Sequence, residues 1–113
     1  MLKVHIKKLR DLAVLCVEGQ IVRGEGLSTL RNVAVSQASA GTMILDLASV
    51  DIIDAGGLGV LLELREWALQ NGIEFKLENA NELVANVLRI THLDSVFDVS
   101  SEAPATLCVA IAA

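Results

Sequence analysis

From residue 27 onward, apolar residues recur alternately at helical and at strand spacing, and this alternation restricts the fold more than any other feature. Leu27, Leu30, Val33, Ala34 and Ala38 are spaced as one face of an amphipathic helix reaching Gly41. Met43-Ile44-Leu45-Asp46-Leu47 follows as a core strand, and a short connection over 51–55 leads into helical spacing over 57–70. Asn71-Gly72 is a favourable stop for that helix. Ile73, Phe75 and Leu77 then alternate with Glu74, Lys76 and Glu78, which predicts a half-covered strand. Leu83, Val84, Val87, Leu88 and Ile90 give a broad apolar face to a helix over about 81–91. Phe97-Asp98-Val99 is a short final strand, after which Ser100 or Ser101 can cap a last helix with Pro104 in its first turn.

The first 20 residues read differently. Val4 and Ile6 alternate with Lys3, His5 and Lys7, the period of a half-exposed strand, and Arg10-Asp11 breaks it. Leu12 to Val17 is a continuous apolar run ending at Glu18-Gly19, the partner strand of an antiparallel hairpin. The predicted fold is α/β, a single domain over 1–113. It has a mixed central sheet of about five strands with about four helices in the order ββαβαβαβα, with at least three strand-helix-strand crossovers. With only two Phe and one Trp, the core must be built from Val, Leu, Ile and Ala.

Charge and spacing exclude several functions. A net charge of −5 with scattered arginines argues against nucleic-acid binding. Lys3, Lys7 and Lys8 cluster, but along a strand they read as its wet face. No leader opens the chain, and no apolar run approaches the roughly 20 residues that span a bilayer, so a cytoplasmic location without membrane insertion is expected. Cys16 and Cys108, each among apolar neighbours, read as buried reduced thiols. His5 and His92 lack ligand spacing, so no metal is expected. Residues 4–9, as an exposed edge strand, leave room for a homodimer.

The most informative segment runs from Leu45-Asp46-Leu47 to Asp54-Ala55-Gly56-Gly57-Leu58-Gly59-Val60-Leu61-Leu62. A buried strand passes through a short loop into a glycine-rich helix start, where backbone N–H groups favour anions. No Lys-Ser/Thr follows the glycines, and their spacing fails the dinucleotide pattern, so no nucleotide cofactor is implied and tight strand-helix packing is the plain reading. Asp46, between two core leucines, needs hydrogen-bond donors, most simply loop N–H groups. Asp51 and Asp54 have no His, Lys or nucleophile beside them in sequence, so catalysis is not expected. The helix has a wide apolar arc, with Leu58, Leu62 and Leu69 along one edge and Val60, Leu64 and Trp67 along the other. One edge could serve as an interface, with Trp67 its natural anchor.

This ordered set resembles the STAS domain, the family of sulfate transporters and anti-sigma-factor antagonists. The resemblance also takes in Gly19-Gln20-Ile21 and the run from Asn86 to Asp94, and so nearly the whole chain. It implies a non-catalytic binding module, without cofactor, whose partner is an anti-sigma-factor-type serine kinase. In antagonist members that kinase phosphorylates a serine in an Asp-Ser-x-Gly turn, and the added charge weakens the complex. Asp54 and Gly57 match the turn, but the acceptor position is Ala55, followed by Gly56, and Val22 stands where antagonists commonly carry Asp. The residues expected to meet a partner are therefore Val22, Asp54, Ala55, Gly56, Gly57, Leu58, Val60 and Leu61, with no phosphorylation at Ala55. Two other roles suit the same resemblance or the same helix start: an accessory STAS subunit of a stress-sensing or membrane transport complex, and a nucleotide sensor using the helix N-terminus.

Overall fold

The computed structural model describes residues 2–100, and its order is β1(Leu2–Leu9), β2(Leu12–Ile21), α1(Glu25–Val35), β3(Thr42–Ile53), α2(Ala55–Gln70), β4(Glu74–Glu78), α3(Glu82–Ile90), a 3-10 turn (Leu93–Ser95) and β5(Asp98–Ser100). The five strands form one mixed sheet in the order β1-β2-β3-β4-β5. β1 and β2 are antiparallel, whereas β2 to β5 are parallel neighbours. Three α-helices lie among the described residues; the fourth, expected from residue 100 or 101, falls outside them.

Each crossover moves one strand further in the same direction, and right-handed crossovers of that kind place all their helices on one face. The burial agrees. Ala13, Leu15, Val17, Met43, Leu45 and Leu47 join Leu27, Leu30, Ala34, Leu61, Leu64, Val84 and Leu88 in the main core. Val14, Cys16 and Ile44, one residue out of step on the same strands, make a small cluster on the other face. Central strands buried on both faces are why the 12–17 run shows no alternation. Phe97 packs on the main core, its ring centroid 6.3 Å from that of Phe75.

Several boundaries differ from those read in the sequence. β2 does not end at Glu18-Gly19; it continues to Ile21 through register shifts against β3 between Cys16 and Glu18 and between Gly19 and Gln20. Gly19 has φ 108°, which a residue with a side chain rarely adopts, so the irregularity has a glycine where it needs one. β3 runs through Asp51 and Ile52, expected to be a connection, because the longer β2 gives it a partner up to Ile21↔Ile53. α1 starts at Glu25 and stops at Val35, short of Gly41. α2 begins two residues early, at Ala55, and ends at Gln70 as predicted. Cys16 is disulfide-bonded, which overturns the expectation of a reduced thiol; Cys108 lies outside the described residues. No described helix is long and apolar enough to cross a membrane.

Candidate functional site

β2 and β3 end side by side at Ile21 and Ile53, and the chain leaves β3 directly into α2. Asp54 makes that junction. Its N–H donates to the Ile21 carbonyl at 3.2 Å, and its own carbonyl accepts the Leu58 N–H at 2.9 Å. Its side chain caps α2, with Oδ1 accepting the Gly57 N–H at 2.8 Å, while Oδ2 accepts the Arg23 N–H at 3.0 Å. One carboxylate therefore closes the helix and pins the loop between β2 and α1. The Arg23 and Gly57 N–H groups, together with the nearby Arg23 guanidinium, hold the Asp54 carboxyl below the usual aspartate range.

Gly57 is where the helix comes closest to the sheet. A Cβ there would lie 2.1 Å from the Ile21 carbonyl oxygen and 2.9 Å from both Ile21 Cγ2 and Ile53 Cγ1. Gly56 has room, its nearest neighbour being Asp54 Oδ1 at 3.4 Å. Close packing, the plain reading of these glycines, thus accounts for Gly57. The helix N-terminus already holds a carboxylate, so a free anion there would meet a fixed negative charge.

The residues named from the sequence separate into two groups. Ala55 is exposed, and Val22, Asp54 and Gly56 are half-buried, Val22 on the loop after β2, Asp54 at the N-cap and Gly56 in the first turn of α2. Gly57, Leu58, Val60 and Leu61 are buried, Leu61 completely, and serve to seat α2 on the sheet. The accessible surface of α2 instead comprises Ala55, Gly59, Leu62, Glu63, Glu66, Leu69 and Gln70. Leu62 is 37% and Leu69 57% exposed, so the apolar excess lies on the Leu62–Leu69 edge. Trp67 is partly buried against the core. Arg31 of α1 pairs with Glu63, bracing that exposed face.

Arg23 was not predicted to belong to the site. Nothing in its spacing could reveal a contact 31 positions away. A shallow groove of about 440 Å³ continues the surface from Val22 and Arg23 past Gly24, Glu25 and Gly26 to Leu2. Asp46 is buried and accepts the Ala48 N–H at 2.9 Å and Asn79 Nδ2 at 3.1 Å, as its position between leucines required. Asp51 is exposed on β3. Among the described residues no cluster of His, Cys, Asp and Glu could hold a metal ion.

A family model for the STAS domain matches residues 4–104. An anti-sigma factor antagonist from Mycobacterium paratuberculosis superposes with a TM-score of 0.78 at 16% identity, over 100% of this chain and 96% of the other. The anti-sigma factor antagonist SpoIIAA in its unphosphorylated form gives 0.69 at 18%, over 88% and 90%. A sulfate transporter family protein from Wolinella succinogenes gives 0.75 at 18%, over 92% and 88%. At these identities the likeness establishes the fold.

Proposed function

The chain belongs to the STAS domain family, and from that premise we propose that it is a non-catalytic protein-binding module of the anti-sigma-factor-antagonist type. It docks on an anti-sigma-factor-type serine kinase through Val22, Arg23, Asp54, Ala55 and Gly56 and the outer edge of α2. The observation that carries this reading is the position of Ala55. It is exposed, it opens α2, and it lies next to a loop pinned by Asp54, so the chain presents a fixed, accessible turn. That turn lacks a hydroxyl, and residues 51–59 contain no Ser, Thr or Tyr. Docking here is constitutive with respect to phosphorylation, and control comes from the partner. We place this action in the cytoplasm, where the Cys16 disulfide would depend on the local redox poise.

A second reading has the chain as an accessory subunit of a stress-sensing or membrane transport complex. The missing hydroxyl at Ala55 favours it, because a scaffold needs a docking face and no switch. Affinity purification from the native host, with wild type and Ala55→Glu compared, separates the two. Recovery of a serine kinase by wild type and its loss with Ala55→Glu is expected. Recovery of transporter or stress-complex subunits with no kinase would replace the first reading by the second.

A further inference from the structure

The charge of this chain is sharply segregated. Lys3, Lys7, Lys8 and Arg10 lie within the first ten residues, which contain no Asp or Glu; the other five Lys and Arg and all 14 acidic residues lie beyond. The fold carries the last three of those cations to one apex, the turn between β1 and β2. Leu9↔Leu12 is the final pair of the hairpin, leaving Arg10-Asp11 as the turn. Leu9 is 52% exposed there, flanked by exposed Lys8 and Arg10 and half-buried Lys7. Because side chains alternate along a strand, Lys7 and Lys8 project to opposite faces and fringe the apex on both sides.

Two features mark this tip as built rather than incidental. The first is that it is braced. The Asp11 carbonyl accepts N–H groups from Gly41 at 2.9 Å and Thr42 at 3.2 Å, and its carboxylate accepts the Gly41 N–H at 2.9 Å. The one acidic side chain at the apex, Asp11, is exposed, but its carboxylate is engaged by the Gly41 N–H, while Glu74, at the same end of the sheet, is paired with Lys76. The second is that Arg10 has φ 57°, at the first position of a two-residue hairpin turn, where glycine would sit without strain. An arginine at that position puts an exposed cation on the turn itself.

We propose that this tip docks the protein on an anionic phospholipid surface, the cations meeting lipid phosphates and Leu9 entering the headgroup boundary. A convex tip of four residues cannot supply the roughly 800 Å² per partner that a specific protein interface buries, whereas a planar fluid surface asks for no complementary shape. Nucleic acid is disfavoured by the acidic remainder and by the lack of an aromatic residue at the tip for a base to stack on. The apex lies at the start of β2, and the Asp54 site at its end, ten residues or about 30 Å away. Membrane contact and partner docking therefore do not compete.

Vesicle flotation of the full chain tests this, with vesicles of phosphatidylcholine alone and with a third of the lipid replaced by phosphatidylglycerol, at about 50 mM and about 500 mM salt. The protein is expected to float with the anionic vesicles only, and only at low salt. Each cation removed should lower partitioning roughly fivefold, and K7Q/K8Q/R10Q together about a hundredfold. Arg10→Gly separates function from folding, since it should melt no lower than wild type yet lose the fivefold. The proposal is overturned if wild type floats with neither vesicle, if it floats equally with both, or if the charge variants float as wild type does. Retention on immobilised polyglutamate without flotation would instead assign the tip to an acidic protein.

Discussion

The Asp54 carboxylate joins two backbone N–H groups that are 34 residues apart in the chain, Arg23 at 3.0 Å and Gly57 at 2.8 Å. Both bonds favour the ionised form, so the shape of the turn is tied to the charge of one residue.

The pH dependence follows from the sign of that shift. The folded-state pKa of Asp54 lies below its unfolded value, so its ionisation adds stability above the usual aspartate pKa of about 4. That contribution is lost as pH falls through the lower, folded value. Asp54→Asn should therefore be less stable than wild type by an amount that is constant from about pH 5 to 8 and shrinks below about pH 4. Urea denaturation of both proteins across this range measures it. An equal difference at pH 3 and pH 7 would rule out the charge as its source.

Two glycines of α2 should respond to alanine with opposite sign. Gly57→Ala places a methyl 2.1 Å from the Ile21 carbonyl oxygen, and even with alanine's better helix propensity it should cost about 1–3 kcal/mol. At Gly59 nothing lies within 4 Å of an added Cβ, so Gly59→Ala should gain about 0.5–1 kcal/mol. Thermal melts of the two variants decide. A neutral Gly57→Ala would show that α2 can move away from the sheet without penalty.

Adjacent leucines separate core from surface. Leu61 is fully buried, and Leu61→Ala should cost about 2–5 kcal/mol. Leu62 is 37% exposed, so Leu62→Ala should cost less than about 1 kcal/mol while reducing partner recovery in affinity purification. Equal recovery with folded Leu62→Ala and wild type would remove the outer edge of α2 from the docking surface.

Much of the fold was legible because the period of hydrophobicity is a local property. The 73–77 alternation and the end of α2 at Gln70 lie where spacing put them, since strand and helix faces repeat over a few residues. The extension of β3 through Asp51 and Ile52 was not legible. Those residues are exposed, and they are in a strand only because β2 continues past Gly19, Gln20 pairing with Ile52 and Ile21 with Ile53 while Asp51 is the residue skipped at the register shift. The site divides in the same way. That Asp54 could cap a helix is written in the residues that follow it, whereas its bond to Arg23 depends on two loops meeting.

By itself, then, the sequence determined the α/β alternation, the resemblance to the STAS family and the absence of a hydroxyl at Ala55, all of which are properties of residue order. Only the tertiary structure decided which of the turn residues are exposed. Leu61 and Leu62 are alike as residues, but helical geometry and the sheet beneath bury one and expose the other. It likewise decided that Lys7, Lys8 and Arg10 share an apex with an exposed leucine and that the Asp11 carboxylate there is bonded to the Gly41 N–H. Such groupings depend on where hairpins end and what braces them, which no spacing along the chain encodes.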